Sequence, residues 1–129
     1  MELESALPKD IIAKAHQVLA LAKAAKCKIA TAESCTGGLL ASLFTDIEGL
    51  SHVFERGMVV YSDEAKCDLL GIERALVDDC GAVSKDVAEA MASGALQRSE
   101  ADIVIAVTGF AGPGGPNDEE GLVHFGILC

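Results

Sequence analysis

Tryptophan is absent, and one tyrosine and four phenylalanines are the only aromatic rings in the chain. The core must therefore be built from Ala, Val, Ile and Leu. Basic residues are scarce: ten Lys and Arg stand against twenty Asp and Glu, for a formal net charge of -10. Phosphate backbones are held by Lys and Arg, so a general nucleic-acid binder is excluded. No apolar run approaches the length that crosses a bilayer, and no membrane surface is an expected partner. Residues 1–10 are acidic and polar, without the charged start and apolar centre of a signal peptide. No Cys-x-x-Cys pair occurs among Cys27, Cys35, Cys67, Cys80 and Cys129. An odd number of scattered cysteines fits reduced thiols in the cytoplasm, most of them small core residues. His16, His52 and His124 lack ligand-like spacing, so neither a metal nor a cofactor is expected.

What is present is enough apolar material for one core. Half of the 129 residues are hydrophobic, which bounds the chain to a single domain over residues 1–129. Residues 8–26 carry an apolar stripe at helical spacing, Ile11, Ile12, Ala15, Val18, Leu19 and Ala22, with Pro8 suited to a first helical position. Short apolar runs at 27–32, 58–61, 102–107 and 122–128 read as strands. Helices are expected at 35–45, at 63–70 between a Ser62 cap and a Gly71 stop, at 72–80, and from Ser84 to about residue 98. Residues 49–56 read as a loop or short helix, and 109–120 as a glycine- and proline-rich loop. Strands that are nearly continuous apolar runs, alternating with helices, predict an α/β fold. Three layers are expected, with a largely parallel or mixed central sheet flanked by helices. Ligands in such sheets bind beyond the carboxyl ends of the strands. Three loops lie at such ends: 33–38, 62–66 and 108–115.

The first of these loops, Thr31-Ala32-Glu33-Ser34-Cys35-Thr36-Gly37-Gly38, reads as strand, tight turn and helix start. Such a junction aims backbone N–H groups and a positive helix end at one place. Gly37 and Gly38 let the backbone turn with positive φ and approach a ligand. Equally, Ser34 is a candidate N-cap and nothing more. Lys66 stands in the first turns of a helix, where the dipole disfavours a cation. Most lysines are solvated, but a buried one beside a serine is a general base. A free lysine titrates near ~10.4, so that role needs burial or a positive helix end to lower it. Ser34, Ser51 and Ser62 are all candidate partners, and sequence alone does not rank them. Tyr61 ends a strand, with packing as its default role. Thr108-Gly109-Phe110-Ala111-Gly112-Pro113-Gly114-Gly115 is a flexible turn that can also wrap a ligand with amides.

Taken together and in order, four motifs resemble one family. They are the Thr31–Gly38 stretch, Phe54-Glu55-Arg56-Gly57-Met58-Val59-Val60-Tyr61-Ser62-Asp63-Glu64-Ala65-Lys66, Gly81-Ala82-Val83-Ser84, and Thr108-Gly109-Phe110-Ala111-Gly112-Pro113. They look like the C-terminal domain of the competence/damage-inducible protein CinA, whose stand-alone form is nicotinamide-mononucleotide deamidase. The resemblance covers almost the whole chain. It implies a metal-free serine amidohydrolase that converts nicotinamide mononucleotide to nicotinic acid mononucleotide and ammonia, in NAD recycling. It implies Lys66 as base and Ser51 as nucleophile, with Ser34, Tyr61 and Thr108 at other polar positions of the site. The substrate phosphate is then expected on the Thr36-Gly37-Gly38 helix start, with Gly109 and Gly112 also lining the substrate. The partner expected is a small nucleotide, and a homo-oligomer is expected. Chains of this family continue past the last strand with a Gly-Asp-Arg segment and a closing helix. The present sequence ends at Cys129, so a substrate-binding arginine and a helix covering the sheet are expected to be lacking. The alternatives are a pyridine-nucleotide-binding module without turnover, or an oligomerisation domain.

Overall fold

In the computed structural model, which describes residues 6–113 and 115–129, four strands form one mixed sheet in the order β2-β1-β3-β4. Residues 1–5 of the acidic start and Gly114 of the glycine-rich loop lie outside the described residues. Strand β1 (Ile29–Glu33) pairs in parallel with β2 (Phe54–Val59) and with β3 (Ile103–Gly109), while β4 (Val123–Leu128) runs antiparallel to β3. The α/β class and the three layers are those expected.

The central strand β1 is buried at all five positions, with helices covering both faces. Its side chains divide by parity. Ala30 and Ala32 join one core cluster with Val60, Leu70, Val87, Met91, Val104 and Ala106. Ile29 joins the other with Leu19, Leu43, Phe44 and Val53. The first cluster is covered by α3 (Asp63–Leu70), α4 (Arg74–Cys80) and α5 (Lys85–Gln97). The second is covered by α1 (Lys9–Ala24) and α2 (Leu39–Thr45). Helix α1 buries Ala15, Leu19 and Ala22 from its apolar stripe. Fully burying a side chain such as Leu19 contributes about 1.5–3 kcal/mol.

Close contacts fix how α5 sits. A Cβ added to Gly94 would collide with the Leu70 carbonyl oxygen, and one on Gly126 of β4 with the Ala88 carbonyl oxygen. The α5 layer is thus set against both α3 and β4 by two glycines. The opposite face is less complete. Phe125 and Ile127 of β4 are 64% and 67% exposed, and Ile127 lines an apolar groove of about 430 Å³ with Val18, Leu21, Ile103 and Ile105.

Some element bounds differ from those expected. Helix α2 starts at Leu39 rather than near residue 35. Gly37 and Gly38 adopt φ of 60° and 103°, so residues 34–38 turn before the helix begins. Strand β2 starts at Phe54, within the stretch expected to be a loop. It is an edge strand whose polar residues have partners: Glu55 pairs with Arg56, and Arg56 donates to the Arg98 carbonyl oxygen. That polarity hides it from a hydrophobic pattern. Among the described residues no helix is long and apolar enough to cross a membrane.

Candidate active site

Because β1 and β2 run parallel, the residues just beyond them emerge at the same edge of the sheet. Ser34 comes directly after β1, and Val60, Tyr61 and α3 come after β2. Ser62 caps α3, its Oγ accepting from the Ala65 N–H at 3.0 Å. The cap orients the helix so that Lys66, at its fourth position, turns inward. Lys66 is 1% exposed and Ser34 7%.

Lys66 Nζ lies 3.0 Å from each of three oxygens: Ser34 Oγ, the Val60 carbonyl and the Tyr61 carbonyl. A charged amine donates to all three. A neutral amine donates to the two carbonyls and turns its lone pair to the third position, where Ser34 O–H donates to it. No carboxylate forms a salt bridge to this amine among the described residues. Burial is the main cause that pulls the Lys66 amine below its ordinary range. The charge of Asp63, then of Cys35 and Cys67, opposes it. The arrangement thus favours an uncharged base in contact with a hydroxyl, the combination that makes serine a nucleophile.

Ser34 is held from both sides. Its N–H donates to the Val107 carbonyl oxygen at 2.9 Å, and its own carbonyl accepts from Gly37 N–H at 3.1 Å. Next to it, burial pushes the Cys35 thiol up. The amides of Cys35 and Thr36 and the Lys66 charge oppose that shift, and the Glu33 charge adds to it. Thr108, 1% exposed, donates its hydroxyl to the Ala82 carbonyl oxygen at 2.8 Å. That bond ties the segment before α5 to the end of β3.

Three expectations change. Ser51 lies on an exposed 3-10 turn, Ser51–Val53, before β2, whereas Lys66 lies beyond β2. Six residues of strand span roughly 20 Å, so within one chain Ser51 stands at the opposite sheet edge and Lys66 pairs with Ser34 instead. Beside the expected phosphate seat at Thr36-Gly37-Gly38, a carboxylate holds the Thr36 hydroxyl and the first helix amides. Glu33, fully buried, accepts from Leu40 N–H at 2.8 Å, Ala41 N–H at 3.0 Å and Thr36 O–H at 2.6 Å. An anion placed at that helix start would meet the Glu33 charge. Tyr61 contributes its carbonyl, while its side chain is 73% exposed.

The glycines of the last loop separate. A Cβ on Gly109 would lie 2.7 Å from the Leu122 carbonyl oxygen, so strand pairing alone requires glycine there. A Cβ on Gly112 would meet nothing within 4 Å. Among the described residues no group of three or more His, Cys, Asp or Glu is placed to hold a metal ion. The residue that sequence reasoning missed is Glu33. Its one signal was position: an acidic residue at a strand end, ahead of a helix whose own cap position, Gly38, has no side chain.

Known proteins resemble the chain along nearly all of its length. The family model described as CinA C-terminal domain matches residues 12–129. A "Putative competence-damage inducible protein" of Caldicellulosiruptor bescii is 48% identical over 112 residues, 85% of this chain and 27% of that protein. A "CinA-like protein" of Mycobacterium avium is 54% identical over 102 residues, 78% of this chain and 24% of that protein. The chain therefore spans about a quarter of the length of these curated relatives. The crystal structure of competence/damage inducible protein CihA from Agrobacterium tumefaciens has a TM-score of 0.89 at 44% identity, over 94% of this chain and 74% of that one. That of competence damage-inducible protein A (ComA) from Klebsiella pneumoniae has a TM-score of 0.83 at 32% identity, over 92% and 81%. These names speak of competence and damage and state no reaction.

Proposed function

Starting from the fact that this chain belongs to the CinA C-terminal domain family, we propose that it is an amidohydrolase. Its substrate is nicotinamide mononucleotide, and its nucleophile and base are Ser34 and Lys66. The observation that carries this reading is the 3.0 Å contact between a buried lysine amine and a serine hydroxyl at the strand ends. Lysine is rarely buried without an anion, and a structural role is better filled by an apolar side chain. An amine pulled down by burial and set against a hydroxyl marks a functional-site candidate.

Neutral Lys66 removes the Ser34 proton as Oγ attacks the carboxamide carbon. The carbonyl oxygen becomes an oxyanion, which a preorganised hydrogen-bond donor must meet. The C–N bond then breaks, and the proton on Lys66 passes to the leaving nitrogen, releasing ammonia. Lys66, neutral again, takes a proton from water as that water attacks the Ser34 ester. The acid leaves and Ser34 recovers its proton from Lys66. The Val60 and Tyr61 carbonyls keep the amine in place through both steps by accepting its remaining N–H groups.

A second reading, a non-catalytic association domain, is favoured by one observation, the bare apolar strip around Phe125 and Ile127. Ammonia release from nicotinamide mononucleotide, measured on the purified chain and on Ser34→Ala, separates the two. Release that disappears in the variant supports the hydrolase. Absence of release from the native chain, with self-association at micromolar concentration, supports the association domain.

A further inference from the structure

We propose that Glu33 is a positioning residue whose buried carboxylate locks the turn at 34–38 so that Ser34 stays against Lys66. This rests on the reading of Ser34 as the nucleophile.

The turn contains two adjacent glycines at positive φ, the residue type with the most conformational freedom to lose. Left to itself such a segment samples many shapes. Helix α2 does not restrain it, because it has seven residues and no side-chain cap at Gly38. Short helices depend on outside contacts. Glu33 supplies them from the strand. One oxygen accepts from Leu40 N–H and Thr36 O–H, and the other from Ala41 N–H. Leu40 and Ala41 are the second and third helical residues, whose amides an N-cap side chain would ordinarily satisfy. The carboxylate thus does the work of the missing cap while also gripping Thr36 inside the turn.

The backbone on both sides of Ser34 is then fixed. Upstream, the Glu33 carbonyl accepts from Val60 N–H at 2.8 Å, which ties the end of β1 to the segment bearing the two carbonyls that hold Lys66. Downstream, the Glu33 side chain ties residues 36–41 back to the same residue. Glu33 therefore ties the element carrying Ser34 to the element carrying Lys66, alongside the Ser34 N–H bond to the Val107 carbonyl oxygen. A shift of about 1 Å at a reacting atom lowers rates by roughly 100-fold.

Glu33→Gln tests this. The amide keeps one acceptor but turns an NH2 group toward an amide N–H, so one arm of the clamp opens. With nicotinamide mononucleotide, kcat per folded chain is expected to fall about 10- to 100-fold while KM changes by less than about threefold. The crystal structure of the variant is expected to show Ser34 Oγ more than about 3.5 Å from Lys66 Nζ. A purely structural cap would lower the folded fraction and the melting temperature and leave kcat per folded chain unchanged. That result, or an unaltered 3.0 Å contact, overturns the proposal. If Glu33→Gln does not fold, Thr36→Val removes only the 2.6 Å arm at a partly exposed position. It is expected to lower kcat several-fold, and an unchanged value counts against the clamp. Should native chain and Ser34→Ala release ammonia equally, the nucleophile assignment fails by itself, and the crystal structure of Glu33→Gln still decides whether the residue sets the Ser34–Lys66 distance.

Discussion

Replacing Lys66 by methionine separates the chemical role of the amine from its structural one. Methionine keeps the unbranched apolar stem and removes Nζ. The buried Val60 carbonyl and the partly buried Tyr61 carbonyl each lose a donor, and Ser34 loses its amine partner. A buried acceptor left without a partner costs about 1–3 kcal/mol, and water reaches the second carbonyl more readily. Against this, methionine removes the cost of burying the amine. Unfolding free energy at neutral pH is therefore expected to fall by no more than about 3 kcal/mol. From an ordinary stability of roughly 5–15 kcal/mol, over about 95% of the chains remain folded. Ammonia release is expected to fall at least ~10³-fold, since the base is gone for both half-reactions. A loss of that size cannot come from a few per cent of unfolded chain. Stability should also report the same group through pH. Burial holds the folded Lys66 amine below the range it has in the unfolded chain. Between the folded value and the unfolded value near ~10.4, the unfolded chain binds a proton that the folded chain does not, so stability rises with pH there. Below that window the charged amine is buried and the stabilisation is absent. Urea unfolding of both proteins at steps from about pH 7 to about pH 10.5 is expected to show the native chain gaining on Lys66→Met as pH rises. Activity in Lys66→Met above about one tenth of native, or a stability difference flat across that range, refutes the reasoning.

The same geometry sets other outcomes. Ser34→Ala is expected to abolish ammonia release with little change in melting temperature, while Ser51→Ala, on an exposed turn at the far sheet edge, keeps most of it. The reverse pattern would return the nucleophile to Ser51. Gly94→Ala places a Cβ against the Leu70 carbonyl and is expected to lower unfolding free energy by about 1–3 kcal/mol in urea titration. Cys35 is expected to react with iodoacetamide near neutral pH more slowly than an unburied thiol, because burial disfavours its thiolate. Mass spectrometry of alkylation against time checks this.

Much of the site was legible before the fold was known. Lys66 stood out as a cation in the first turns of a helix, and Ser34 as the residue where an apolar strand meets two glycines. Ser51 shows the limit. The family resemblance implied it as the partner of Lys66, but a strand lies between them, and a strand carries its two ends to opposite edges of a sheet. Thr36, Gly37 and Gly38 show another. A glycine turn before a helix reads as an open anion seat, and whether a carboxylate already stands beside it depends on which way Glu33 points. Strand β2 was half hidden because its polar residues pair with each other and with the segment after α5.

Local chemistry, then, was written in the sequence: which segments are strands or helices, which turn needs glycine, which lysine sits oddly. Those properties depend on near neighbours and on hydrophobic period. Pairing was decided by the tertiary structure alone. Ser34 and Lys66 are thirty-two residues apart. They meet because the parallel strands β1 and β2 deliver their trailing segments to one edge, out of water.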